Sequence, residues 1–257
     1  MAKKQSQIKF WALVDQIIRR SDVILEILDS RFPTQTRNEE LESRIKKYGR
    51  KHIFVLNKAD MVPKKTLFPY YDKLKEISPT VMMSCQARYG KLKLSKTIKT
   101  ITHVRPMKVG VIGYPNVGKS SVINYLKGKK SARTSPVAGY TKGQQWLKMS
   151  KEIMLIDTPG VIPFNERSRI NLIIKSAMTS IKDPETAAAD LLEVLAKEYK
   201  EALESYYKIK VSENGYETLE RIAQSKNIVK KNNQLDLQKA GSLIINEWQK
   251  NKIKIYK

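Results

Sequence analysis

Apolar positions near the start of the chain recur at three- and four-residue steps. Ile8, Trp11, Val14, Ile17 and Ile18 share one stripe, which predicts an amphipathic helix over 5–19. The run VILEIL at 23–28 reads as a strand, followed by a loop with Pro33 and a helix to about Lys47. Residues 53–56 form a second buried strand, then come a helix near Lys64–Ile77, a short strand at 81–83 and a helix over 91–101. Met107–Ile112 is a strand feeding a glycine-rich loop, and a helix starts near Lys119. Residues 146–149 and Ile153–Ile156 read as paired strands. Alternating strands and helices argue for an α/β fold with a mostly parallel sheet covered on both faces.

After about Ser180 the period changes. Asp183-Pro184-Glu185 supplies a cap, a proline for the first helical position and an acid for the first turn. A long helix to about Tyr206 follows, with further helical periodicity over 216–224 and 235–248. The expectation is therefore an α/β domain over 1–180 and a small helical domain over 181–257.

Composition narrows the partners. The 257 residues are 41% hydrophobic and 29% charged, enough apolar material for a sizeable core and too much for global disorder. Lys and Arg number 49 against 25 Asp and Glu, a net +24 that favours a polyanion, nucleic acid first and an anionic membrane surface second. The charge is uneven. Residues 77–151 contain no Asp or Glu and fifteen Lys and Arg. One nucleotide needs fewer cations than that. The surplus, including Lys91, Lys93, Lys96, Lys99, Lys127, Lys129, Lys130 and Arg133, suggests an additional anionic surface such as RNA, against the plain alternative of lysine-rich solubility. The single cysteine, Cys85, excludes an internal disulfide framework and a Cys-cluster zinc site. His52 and His103 stand too far apart to suggest a metal pair. No signal peptide is evident, since Lys3 and Lys4 precede a stretch broken by Lys9 and Asp15, and no apolar run approaches the roughly 20 residues of a membrane span. A soluble, cytoplasmic chain is expected.

Three short motifs carry chemistry. Gly113-Tyr-Pro-Asn116-Val117-Gly118-Lys119-Ser120 fits G-x-x-x-x-G-K-[ST], with a strand before it and a helix after it. Its amides, from Asn116 to Ser121, would cradle phosphates at a helix N-terminus. Lys119 would reach the β- and γ-phosphates, and Ser120 would give an oxygen to Mg²⁺. Asp157-Thr-Pro-Gly160 follows the strand Ile153–Ile156, where Asp157 would hold Mg²⁺ through water and the Gly160 amide would sense the γ-phosphate. Asn57-Lys58-Ala-Asp60 ends the strand at 53–56. Asp60 can accept two hydrogen bonds from the guanine N1–H and N2 amino group, an arrangement adenine cannot offer, and a site built on such bonds rejects the wrong base strongly. Asn57 can bond the base edge and tie down the phosphate loop, while the Lys58 stem covers the ring. Ser84-Cys85-Gln86 stands where a second base-contacting loop belongs, with the Cys85 N–H facing the guanine O6. As a side chain, Cys85 reads as a small buried residue and not a nucleophile.

The order of these motifs is diagnostic. A conventional GTPase reads phosphate loop, switch threonine, D-x-x-G, N-K-x-D and then the S-A-K-like loop. Here the base-reading motifs at 57–60 and 84–86 precede the phosphate loop at 113–120, the switch at 141 and D-x-x-G at 157–160. That order is a circular permutation, and it resembles the circularly permuted ribosome-assembly GTPases of the YlqF/RbgA type over about residues 10–180. The likeness extends to Asp29-Ser-Arg31-Phe-Pro33, similar to the family's D-x-R-x-P, and to Pro136-Val-Ala-Gly139-Tyr-Thr141, similar to its P-G-x-T switch. It departs at Ser84-Cys85-Gln86, where Ser-Ala-Lys is usual, and at Ala138-Gly139, where Pro-Gly is common.

The resemblance implies a circularly permuted P-loop G domain, with Thr141 as the second protein oxygen on Mg²⁺. It also implies slow GTP hydrolysis, because Val161 replaces the water-orienting glutamine of signalling GTPases. Asn116 is similar to an asparagine that coordinates K⁺ in related GTPases; a loop-stabilising side chain is the other reading. Lys119, Thr141 and Gly160 would carry catalysis. The expected partners are GTP and GDP, ribosomal RNA and a large-subunit precursor, with residues 161–180 as the lever to the helical domain. Two other classes compete: a GTP-regulated switch for a protein or anionic membrane, and an RNA-binding module with a structural nucleotide site. The sequence does not set the oligomeric state.

Overall fold

This computed structural model describes residues 2–127, 146–156, 181–250 and 252–254. The chain divides into two compact units, Met1–Pro163 and Phe164–Lys257. The boundary expected at 180/181 abuts residues 157–180, which lie outside the described set.

In the first unit α1 (Ala2–Arg20) leads into β1 (Val23–Asp29), followed by the short α2 (Pro33–Thr36) and α3 (Glu39–Lys47). Next come β2 (Lys51–Asn57), α4 (Lys64–Ile77), β3 (Thr80–Met82) and α5 (Lys91–Ile101). The unit continues with β4 (Met107–Ile112), α6 (Lys119–Lys127), β5 (Trp146–Lys148) and β6 (Ile153–Ile156). The strand order is β3-β2-β1-β4-β6-β5. Every neighbouring pair is parallel except β5–β6. All seven residues of β1 are buried, which is why the strand reads as an apolar run instead of alternating. Helices α1 and α6 lie against β4, α3 against β2 and α4 against β3. Val14, Ile17 and Ile18 of the predicted α1 stripe are buried. Truncating Ile17 to alanine would cost about 2–5 kcal/mol.

Glu26, in the middle of β1, breaks the apolar run. It is fully buried; its Oε1 accepts the Asn38 N–H at 2.8 Å, and His52 Nε2 lies 3.2 Å from Oε2. Burial raises its carboxyl above the usual range against the opposing pull of His52. Asn38 in turn caps α3 by accepting the Leu41 N–H at 2.9 Å, and it donates to the Tyr114 hydroxyl at 2.9 Å. A chain of buried polar groups thus runs from β2 to the loop after β4.

Strand ends differ from the sequence expectation by one or two residues. Ladder pairing continues past the apolar runs, with Lys51 opposite Val23 and Asn57 opposite Asp29. The segment with Pro33 is not all loop, because Pro33 starts the four-residue α2.

The second unit is helical: α7 (Pro184–Tyr207), α8 (Gly215–Ser225) and α9 (Leu237–Gln249). Asp183 caps its helix as expected, and the other two helices are capped in the same way. Asp183, Asn214 and Asp236 accept backbone N–H groups of the first turns. Helix α7 leaves helical geometry at Tyr199. Leu191, Leu192, Leu195, Leu219, Ile222, Ile244 and Trp248 form the core. Gly215 permits the closest approach: a Cβ there would stand 2.0 Å from the Ala189 carbonyl oxygen. Among the described residues no helix is long and apolar enough to cross a membrane.

Candidate functional site

From β1 the chain winds to β2 and β3 on one side, then returns to β4 on the other side of β1. The switch point of this open sheet therefore lies between β1 and β4, and such folds bind ligands beyond the carboxyl ends of their strands. Register brings those ends together. Asn57 of β2 lies opposite Asp29 of β1, and Ile112 of β4 lies opposite Glu26. Strand β6 runs parallel to β4, so the chain leaves Ile156 at the edge that carries the phosphate loop.

That loop, 113–120, joins β4 to α6. Asn116 (φ +62°) and Gly118 (φ +96°) adopt left-handed backbone conformations. Gly118 also leaves room for a neighbour, because a Cβ there would meet Asn57 Nδ2 at 2.3 Å. Asn116, Ser120 and Ser121 are exposed, while Val117 and Lys119 are buried. The Lys119 ammonium donates to the Tyr114 carbonyl within the loop, and burial lowers its pKa to about 8.

The base-reading loop meets the phosphate loop directly. Asn57 Nδ2 donates to the Val117 carbonyl at 2.8 Å, and the Lys58 ammonium donates to the Asn116 carbonyl at 2.7 Å. The other end of the Asn57 amide accepts from the Cys85 thiol at 3.5 Å, so one buried side chain links all three loops. The backbone adds another tie, with the Ala59 N–H donating to the Met83 carbonyl at 3.1 Å. Asp60 is exposed beside them. Ser84 is buried, and its hydroxyl accepts the Ala87 N–H at 2.8 Å; Gln86 is exposed. Cys85 is half-buried, less enclosed than a core residue, and burial followed by the nearby Asp60 charge pushes its thiol up to about 11.

Beneath the two loops sits an ion cluster built on the Asp29 and Arg31 of the D-x-R-x-P likeness. Arg31 grips Asp29 with both arms of its fork, Nε to Oδ1 at 3.0 Å and Nη2 to Oδ2 at 2.8 Å. Lys58 donates to the same Oδ2 at 2.7 Å. Asp29 and Arg31 are 4% and 6% exposed, so these charges are not diluted by water. Burial alone would raise the Asp29 carboxyl, but the two cations hold it at about 2. Burial also lowers the Lys58 ammonium, against the attraction of Asp29. Its signal in the sequence was the D-x-R-x-P likeness at Asp29-Ser-Arg31-Phe-Pro33, which did not place the pair beside Lys58.

Thr141, Asp157, Gly160 and Val161 lie outside the described residues, as do Lys129, Lys130 and Arg133. Of the three expected Mg²⁺ ligands, Ser120 alone lies within them, exposed at the start of α6, and its hydroxyl is a hard oxygen of the kind this cation takes. On α5, Leu94 and Ile98 turn inward while Lys93, Lys96 and Lys99 are exposed. Lys99 pairs with Glu152, and Lys93 lies 5.4 Å above the Tyr71 ring. In the helical unit Lys230, Lys231, Lys250, Lys252 and Lys254 are exposed; Lys226 lies 3.7 Å from Glu247.

Comparison with known proteins agrees with this geometry. Residues 9–166 match the family model described as RsgA GTPase, and residues 108–234 match one described as 50S ribosome-binding GTPase. An uncharacterised GTP-binding protein of Methanocaldococcus jannaschii is 39% identical over 252 residues, covering 95% of this chain and 66% of that protein. Nuclear/nucleolar GTPase 2 of Arabidopsis thaliana is 32% identical over 264 residues, covering 100% of this chain and 46% of that protein. The chain thus spans about two thirds of the archaeal relative and about half of the plant one. In fold it is similar to GNP-bound YlqF from T. maritima, with a TM-score of 0.70 at 24% identity, covering 98% of this chain and 96% of that one.

Proposed function

The chain belongs to the RsgA GTPase family, with the motif order of a circularly permuted GTPase, and from that premise we propose that it is a GTP-binding and GTP-hydrolysing switch that docks on ribosomal RNA during large-subunit assembly. The observation that carries the nucleotide reading is the pair of bonds from Asn57 and Lys58 to the phosphate loop some 60 residues later. Asp60 reads guanine, and the Ser84–Cys85–Gln86 loop closes over the base. The backbone from Asn116 through Val117, Gly118 and Ser120 to Ser121 takes the phosphates. Lys119, released from Tyr114, follows the β- and γ-oxygens. Ser120, Thr141 and Asp157 would hold Mg²⁺, which would supply charge neutralisation of the phosphates. Gly160 would sense the γ-phosphate, and Asn116 would hold K⁺ where that cation binds. Turnover is slow alone and rises on ribosomal particles.

The family-model description "50S ribosome-binding GTPase" and the nucleolar name of the plant relative support the ribosomal partner. So does the acid-free stretch, whose α5 lysines line an exposed face. We assign the G domain to about 1–180 and a helical RNA-gripping domain to 181–257, acting in the cytoplasm. Co-sedimentation tests this. The protein should pellet with large-subunit particles in a non-hydrolysable GTP analogue, pellet far less in GDP, and lose binding steeply as salt rises. Equal pelleting in both nucleotides, or binding to anionic vesicles but not to particles, would overturn the ribosomal reading.

A further inference from the structure

The buried Asp29–Arg31 pair is chemically idle in the reading above, yet it touches the base-reading lysine. We propose that Asp29, fixed by Arg31, is a positioning residue of the guanine site: it anchors the Lys58 ammonium so that the lysine stem stands ready beside the base and ties the base loop to the phosphate loop.

The geometry is over-determined in a way that a mere strand end does not require. The Asp29 carboxylate accepts four donors: the Arg31 N–H at 3.1 Å, both arms of the Arg31 fork, and Lys58 Nζ. The local chain builds this holder. Pro33 starts α2, and that helix returns Thr36 so that its hydroxyl accepts the Asp29 N–H at 3.1 Å. On the other side, β1–β2 register sets Asp29 opposite Asn57, one residue before Lys58. Lys58 itself sits in a left-handed conformation, φ +61°, so its side chain leaves the turn in a direction that the anchor must hold. Its ammonium then spans Asp29 and the Asn116 carbonyl, linking the end of β1 to the phosphate loop. Arg31 sets the direction of the carboxylate. A planar fork fixes both oxygens, which a lysine at that position could not do.

This inference rests on the guanine-nucleotide reading and is separable from it. The test is a double-mutant cycle on the full chain, reading the Kd for GDP with Mg²⁺ and, for each variant, the nucleotide-free melting temperature. Asp29→Asn keeps the shape and removes the charge. It should raise the Kd for GDP about tenfold, and for GTP by the same factor, while adding less than twofold in a Lys58→Met background. Arg31→Gln should behave likewise, and Arg31→Lys should fall between it and wild type. If Asp29→Asn does not fold, the Arg31 series carries the same cycle. A role confined to fold stability would lower the melting temperature, leave the GDP Kd of the folded protein within twofold, and so overturn the proposal. Losses that multiply in the Lys58→Met background would overturn it too. Failure of the wild-type protein to bind GDP would instead refute the nucleotide reading.

Discussion

Removing the Asn57 side chain should uncouple the base loop from the phosphate loop. Asn57 is 2% exposed, and its Nδ2 donates to the carbonyl of Val117, a residue 1% exposed, at 2.8 Å. In Asn57→Ala that carbonyl loses a donor which water cannot readily replace. Stranding a buried polar group costs about 1–3 kcal/mol. If the loss falls wholly on nucleotide binding, it corresponds to about 5- to 150-fold in Kd. Asn57→Asp should cost more at nearly the same size, because a carboxylate oxygen would then face the Val117 carbonyl. Calorimetric titration with GDP and with GTP, beside melting of the nucleotide-free protein, separates binding from stability. The two nucleotides should weaken by one common factor, since the tether does not involve the γ-phosphate. A folded Asn57→Ala protein whose GDP affinity stays within twofold of wild type would show that the tether is incidental.

Three further outcomes follow from the same geometry. Gly118→Ala places a Cβ 2.3 Å from Asn57 Nδ2 at φ +96°; adding about 1–2 kcal/mol of backbone strain to the lost tether, GDP binding should fall at least tenfold, and near-wild-type titration would contradict it. The Cys85 thiol, pushed up to about 11, should hold about 300-fold less thiolate at pH 7.5 than a free thiol of pKa about 8.5, so its alkylation should be slow there and still gain tenfold per pH unit past pH 9; a plateau near pH 9 would refute the burial argument. The Asp29 carboxyl, held at about 2 against 3.8, contributes stability that is present above about pH 4 and lost as pH falls through 2, on the order of 2 kcal/mol; acid melts of Asp29→Asn should be flatter between pH 5 and 2, and parallel curves would contradict this.

The parts of the fold that were legible are those where local signals agree with packing. Asp183-Pro184 began a helix as expected, because cap and first-turn proline act within a few residues. The strand runs were readable because both faces of the parallel strands are covered. The phosphate loop and N-K-x-D were readable because each chemistry needs fixed residue types at short spacing. What stayed hidden was long-range. Nothing in the pattern around Glu26 indicates that Asn38 and His52 meet its carboxylate, and the D-x-R-x-P likeness set Asp29 and Arg31 apart without placing Lys58 beside them. The His52–Glu26 and Lys58–Asp29 meetings are set by β1–β2 register, which a one-residue slip would destroy. Cys85 was read as a core residue, but its place in a turn beside Asn57 leaves it half-buried.

The central claim is that motifs in permuted order build one guanine site, with Asp60 choosing the base. Competition against a fluorescent GDP probes it most directly, with wild type and Asp60→Asn side by side. GTP and GDP should displace the probe from the wild-type protein while ATP, at a hundredfold higher concentration, does not. In Asp60→Asn the preference should move to xanthosine diphosphate, whose C2 oxygen can accept from the new amide. Equal displacement by ATP and GTP from the wild-type protein would contradict the account.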